Sequence, residues 1–204
     1  MRAVCIVQAR LGSTRLPGKV LLPLAGQSVL SHVLTRCQRI KGIDAVVLAI
    51  PDEGNMALAQ VAAGLGIASF LGPEDDVLRR YALAAHAEDA DVIMRITADC
   101  PMINPRVCAD ALSLFYESDA EYASNVYPRR TWQKGYDCEV FSSDALERAD
   151  IFAKDDYDRE HVTPWVQRNS AHALLDGPGE GISVTLDTPE DYVRLQRIFD
   201  RRAA

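Results

Sequence analysis

Near the start of the chain, three cations and two hydroxyl groups fall within one short stretch. Residues 8–21 read QARLGSTRLPGKVL, and the span from Arg10 through Arg15 to Lys19 contains no acid. Ser13 and Thr14 add hydroxyls, while Gly12 and Gly18 lack the side chain that would hold an anion away from the backbone. Guanidinium, ammonium and hydroxyl groups are the donors that phosphate oxygens require. The spacing is not that of a P-loop: five residues separate Gly12 from Gly18 where four are needed, and Val20 replaces the magnesium-binding Ser or Thr. A GxGxxG dinucleotide fingerprint is absent as well. The stretch reads either as an anion-binding loop of another kind or as a solvated surface loop.

Carboxylates supply the second set of candidates. Asp99 follows the apolar run VIMRITA and precedes Pro101 and Pro105, which puts it at a strand's carboxyl end as either a site residue or an Asx-type turn residue. Asp187 follows ISVTL and precedes Thr188 and Pro189, a helix start with Thr as N-cap and Pro at the first helical position. That start accounts for Thr188 and Pro189 but not for Asp187. In GYDCEVF, 135–141, strand alternation would put Asp137 and Glu139 on one face, suited to hydroxyl recognition or simply to solvent. Arg159 and His161, in REHVTPWV, are candidates for a sugar carboxylate, with His161 also a candidate general base; both could equally be surface residues. Cys100 beside Asp99 is a weak nucleophile candidate.

These residues need a scaffold that brings strand ends together. Short β-rich runs at 3–8, 45–50, 67–71 and 91–97 alternate with helical patterns near 28–40, 55–64 and 75–88, the signature of βαβ crossovers. Ser28 is a cap for the first helix, Gly42 follows its end, and Asn104-Pro105 opens another. Later, strands near 120–124, 135–141 and 182–187 mix with helices near 143–149, 157–168 and 189–202. The expectation is a doubly wound α/β fold with a mostly parallel, Rossmann-like sheet, one domain over 1–204 with 120–181 as a substrate or dimer lobe. Ligands of open α/β sheets bind beyond the carboxyl ends of the strands, where the 8–21 loop and Asp99 both fall.

Composition narrows the partners. With 48% hydrophobic and 25% charged residues the 204-residue chain is of globular type, and its formal charge of −7 offers no overall field for a nucleic-acid backbone. No apolar run approaches the ~18 residues of a spanning helix, so no membrane partner is expected. Five cysteines without a CxxC pair point to reduced thiols and a cytoplasmic location.

The 8–21 loop resembles the signature of the cytidylyltransferases that make CMP-activated sugars. That family includes the 3-deoxy-manno-octulosonate and acylneuraminate enzymes, and the likeness is greatest to the spore coat polysaccharide biosynthesis protein F branch. Matching motifs follow in order at DDVLRRY (75–81), RITADCPMINP (95–105), GYDCEVF (135–141), REHVTP (159–164) and TLDTPEDY (185–192), so the likeness spans nearly the whole chain. One departure is Ala98, where the family usually has Gly before the aspartate.

The resemblance implies transfer of CMP from CTP to an acidic sugar, with release of pyrophosphate, for polysaccharide biosynthesis. It assigns the triphosphate to Arg10 and Lys19 with support from Gly12, Ser13, Thr14 and Arg15, and a base contact to the backbone of Ala9. Asp99 and Asp187 become ligands of Mg2+, with Arg10, Lys19 and Asp99 as the catalytic set. Asp137, Glu139, Arg159 and His161 are left for the sugar. A homodimer through the C-terminal lobe is implied as well. The alternatives are a phosphonate or other small acceptor, or a nucleotide-binding protein without turnover.

Overall fold

The computed structural model describes residues 1–203. The chain opens with β1 (Ala3–Gln8), a short hairpin of β2 (Pro23–Leu24) and β3 (Gln27–Ser28), and α1 (Val29–Cys37). It then alternates through β4 (Ala45–Pro51), α2 (Met56–Gly64), β5 (Ala68–Gly72), α3 (Val77–Ala87) and β6 (Val92–Thr97). The second part comprises α4 (Pro105–Glu117), β7 (Tyr122–Ser124), β8 (Glu139–Ser142), α5 (Ser143–Phe152), α6 (Asp156–His161), α7 (Pro164–Asn169), β9 (His172–Leu174) and α8 (Pro189–Ala203).

Seven strands form one sheet in the order β5-β4-β1-β6-β8-β7-β9. β5, β4, β1 and β6 are parallel, β8 runs antiparallel to both β6 and β7, and β9 is parallel to β7. Strands covered on both faces read as continuous apolar runs, as AVCIVQ and VIMRIT do. Cys5, Val7 and Met94 pack with Leu30, Leu58 and Cys108 of α1, α2 and α4 on one face, while Val4, Ile6 and Ile93 meet Leu78, Tyr81 and Leu146 of α3 and α5 on the other. The expected mostly parallel, doubly wound sheet is thus the observed one.

From β1 the chain moves outward to β4 and β5, and α3 then carries it back to β6 on the other side of β1. The order therefore reverses between β1 and β6, where a crevice opens at their carboxyl ends. The 8–21 loop and Asp99 both leave the sheet there.

Local signals set several boundaries. Ser28 Oγ accepts from Ser31 N–H and Asn104 Oδ1 from Arg106 N–H, capping α1 and α4. Ala25 and Gly26, with φ of 46° and 82°, turn the β2–β3 hairpin, which was not expected from sequence. The run 135–141 becomes a strand only from Glu139 onward, because Tyr136 N–H closes a turn onto Gln133 O and Asp137 Oδ1 accepts from Gly135 N–H. Segment 182–187 joins no strand ladder; it bridges two loops through single bonds, Val184 N–H to Lys134 O and Leu186 N–H to Asp99 O, each 2.8 Å. The helix expected over 157–168 is broken into α6 and α7 at Val162, whose φ is 71°, and Pro164 opens the second piece. A third apolar cluster, including Leu24, Met102, Leu186 and Phe199, seats α8 against the hairpin.

Candidate active site

Beyond β1, the loop is wound onto itself before it presents Lys19. Ser13 N–H and Gly18 N–H both donate to Leu11 O, at 2.9 and 3.0 Å. Gly18, with φ of 68°, takes the left-handed turn that leads into a single 3-10 turn over Lys19–Leu21, which buried Val20 anchors. Gly12 plays no comparable part. A Cβ there would meet Glu74 Oε1 at an ordinary 3.8 Å, and its φ is not in the left-handed region.

Lys19 joins the two aspartates that stand far apart in sequence. Its Nζ donates to Asp99 Oδ2 at 2.8 Å and to Asp187 Oδ1 at 3.0 Å. Arg15 reaches the same Asp187 oxygen at 3.1 Å, and Lys134 reaches the other at 3.1 Å. Thr97 Oγ1 donates to Asp99 Oδ1 at 2.7 Å and orients that carboxylate. Asp187 is fixed by the start of α8: Asp191 Oδ2 accepts from the N–H groups of Asp187 and Thr188, both at 2.9 Å, and Thr188 Oγ1 accepts from Asp191 N–H at 3.3 Å. Burial opposes charge on Lys19, yet Asp99 and Asp187 outweigh it and raise the ammonium's pKa. Burial likewise works against the Asp187 carboxylate, and Lys19 and Lys134 overcome it to hold the pKa below the usual aspartate value.

Two converging carboxylates fit a magnesium ion, which takes one or two protein carboxylates and completes its octahedron with phosphate oxygens and water. Among the described residues no third His, Cys, Asp or Glu joins them to form an all-protein cage. The cation position between the carboxylates is taken by the Lys19 ammonium.

A cleft of about 340 Å³ surrounds this cluster. Ala9, Arg10, Ser13, Thr14, Arg15 and Lys19 line it, as do Asp99, Asp187 and His161. Ala9 N–H is spent on Ala49 O at 3.2 Å, which leaves its carbonyl as the group it has for a ligand. Among the described residues, the Arg10 guanidinium pairs with Glu160, at 3.4 Å. Sequence reading missed Arg80, which lines the cleft although only 1% exposed, with its Nε unpartnered. Its Nη1 donates to the carbonyls of Pro73 and Glu74. The signal was present: Arg80 follows Val77 by three and precedes Ala84 by four, which puts a cation on the apolar side of α3.

A second cleft of about 260 Å³ shares Arg95, Thr97 and His161 with the first. Asp137 and Glu139 both line it, though not from one strand face. Arg130 chelates Asp137 through two bonds of 2.5 and 2.8 Å. Glu139 is buried against the Arg95 guanidinium, Tyr122 Oη at 2.6 Å and Gln167 Nε2 at 3.1 Å. Arg159, the remaining sugar-binding candidate, lines neither cleft. Its guanidinium is engaged by Asp76 at 2.9 and 2.5 Å and by Asp150 at 2.8 Å, stapling α6 to α3 and α5. Cys100 is buried, and its burial beside Asp99 pushes the thiol pKa well up, the opposite of what a nucleophile needs.

A sheet that reverses order above a cation-rich loop defines a nucleotide-binding α/β protein. The chain belongs to the cytidylyltransferase family, whose model matches residues 4–202, and is accordingly a CTP-dependent nucleotidyltransferase. It is 36% identical to an uncharacterized protein of Methanocaldococcus jannaschii, over 98% of this chain and 85% of that one. It is 29% identical to the spore coat polysaccharide biosynthesis protein SpsF of Bacillus subtilis, over 96% and 85% of the two chains. A solved cytidylyltransferase of Leptospira borgpetersenii superposes with a TM-score of 0.93 at 31% identity, over 98% of this chain and 87% of that one. Among the described residues, no helix is long and apolar enough to cross a membrane.

Proposed function

We propose that the chain transfers CMP from CTP to a hydroxyl of a small acidic sugar, releasing pyrophosphate, in the cytoplasm and in service of surface polysaccharide assembly. The observation that carries this reading is the meeting of Lys19, Asp99 and Asp187 at the switch point of the sheet. Arg10, Arg15 and Lys19 hold the triphosphate and offset the charge gathering on the departing pyrophosphate. The Ala9 carbonyl is an acceptor for a cytosine amino group. Asp99 and Asp187 would hold Mg2+, which when bound neutralises phosphate oxygens. The acceptor, placed in the second cleft by Asp137, Glu139 and their arginines, attacks the α-phosphate in line: a sugar O–P bond forms as the bond to the β-phosphate bridging oxygen breaks. His161, whose imidazole lines both clefts, takes the hydroxyl proton.

The acidic-sugar part is supported by relatives such as the 3-deoxy-manno-octulosonate cytidylyltransferase of an Anaeromyxobacter species, 36% identical over 62% of this chain and 52% of that one. A specific observation favours a second reading. Both arginines of the second cleft already hold carboxylates, an arrangement that suits a neutral or amino polyol as well as an acid. Pyrophosphate release with CTP, magnesium and matched acidic, neutral and phosphonate acceptors tests both. Absence of release with every acceptor, under conditions where CTP binds, would turn the reading into that of a nucleotide-binding protein. A homodimer is proposed on exposed Ile151, Phe152 and Tyr157, and sedimentation velocity tests it.

A further inference from the structure

We infer that Lys134 is a further nucleotide-binding residue, a contact for the α-phosphate delivered from the acceptor side; this rests on the reading of the first cleft as a CTP site. Lys19 and Arg15 reach Asp187 Oδ1 from the N-terminal loop, at 3.0 and 3.1 Å, whereas Lys134 reaches Oδ2 at 3.1 Å from the segment that leads to Asp137 in the second cleft. The two oxygens of one carboxylate are thus gripped from the two sides between which the new bond must form.

A half-exposed lysine ordinarily stays in solvent, because holding its long stem in one rotamer costs more entropy than a surface ion pair returns. The backbone of Lys134 is fixed independently of that contact. Val184 N–H donates to Lys134 O at 2.8 Å, and Asn125 Nδ2 donates to Tyr136 O at 2.7 Å. Gly135, with φ of 102°, lies so close to the Asp187-bearing segment that a Cβ there would meet the Val184 carbonyl carbon at 2.8 Å. Lys134 and Asp187 are carried by two segments docked against each other, so the ammonium is aimed at the cluster by the fold.

Three cations, Lys19, Arg15 and Lys134, converge on the two carboxylates Asp99 and Asp187. That leaves positive charge in excess before any ligand enters. An ammonium on a carboxylate that binds a metal must have another anion to move to. For Lys19 and Arg15, on the loop, this is the outer phosphates. For Lys134, on the acceptor side, it is the α-phosphate.

Calorimetry with CTP, CMP and inorganic pyrophosphate, each with magnesium, tests this without knowing the acceptor. Lys134→Ala and Lys134→Gln are expected to weaken CTP and CMP roughly tenfold, the loss of one charged contact. They should leave pyrophosphate affinity and the thermal midpoint unchanged, and Lys134→Arg should restore most of the binding. Lys19→Ala should show the converse, losing pyrophosphate and sparing CMP. Unaltered CTP affinity in both neutralised variants overturns the assignment, and so does an equal loss for pyrophosphate. If the wild-type protein itself binds no CTP, the nucleotide reading of the cleft falls first, an outcome distinct from wild-type binding that Lys134 does not influence.

Discussion

The two clefts share Arg95, Thr97 and His161 but follow opposite electrostatic plans. In the first, three cations, Lys19 and Arg15 from the N-terminal loop and Lys134 from the far side, converge on the two carboxylates Asp99 and Asp187, and Arg80 adds a buried guanidinium with an unpartnered nitrogen. In the second, each arginine has its own carboxylate: Arg130 with Asp137 and Arg95 with Glu139. Surplus positive charge calls for a polyanion, while balanced pairs present oriented donors and acceptors without net charge. Under the proposed function, the first cleft would take the triphosphate and the second a hydroxyl-rich partner.

The sharpest way to break this contrast is at the shared carboxylates. Asp99→Asn and Asp187→Asn keep the side-chain shape and remove the charge, and each should lower turnover by about 10²–10³-fold. Pyrophosphate release across a magnesium titration reads the loss. A double variant no worse than either single one would show the two acting as a unit. Full activity of Asp187→Asn at low magnesium would remove it from the metal site.

Lys19→Ala and Arg10→Ala come next, at roughly 10- to 150-fold in turnover for a lost charged phosphate contact. Lys19→Ala should be the worse of the two, since it also leaves two carboxylates facing one another, whereas Arg10 gives up only a 3.4 Å contact to Glu160. Equal losses would argue that the clustering on Lys19 has no energetic weight.

In the second cleft, Arg130→Ala should raise the acceptor KM about tenfold and leave CTP affinity as it is. Steady-state kinetics and CTP calorimetry on the same variant separate the sides. A matching fall in CTP affinity would erase the contrast.

The smallest effect on turnover and the clearest on pH concerns Glu139. Burial disfavours its charge, yet Arg95, Tyr122 and further hydrogen bonds hold its pKa below the usual glutamate value. A lowered folded pKa adds stability that is present above the unfolded pKa of about 4.3 and is lost as pH falls through the folded value. Glu139→Gln, which strands Arg95, should cost about 3–5 kcal/mol at neutral pH. The gap in thermal midpoint between wild type and variant should close below about pH 4. A gap independent of pH would mean that Glu139 does not carry its charge in the fold.

The same contrast explains what could be read from sequence. The first cleft hangs on β1 and β6, whose apolar runs and following loops are local signals, so Arg10, Lys19 and Asp99 were legible there. Asp187 was legible as a residue left over after Thr188 and Pro189 had been explained, but its bond to Lys19 is a tertiary event. The second cleft depends on turns and ion pairs between distant segments. Nothing local says that Asp137 curls back onto Gly135 before the strand begins, or that Asp76 and Asp150 engage the Arg159 guanidinium. Lys134 reads as an ordinary polar loop residue, and only the docking of 182–187 onto its carbonyl reveals where it is aimed.

The bond from Leu186 N–H to the Asp99 carbonyl spans 2.8 Å and ties together the two main chains that bear the facing carboxylates. The two backbones that carry the facing carboxylates are therefore held together by the protein itself. Were Asp99 and Asp187 to hold the ion as proposed, so short a tie between their main chains would suit the short bonds of magnesium, about 2.0–2.1 Å, better than the longer and more numerous ones of calcium.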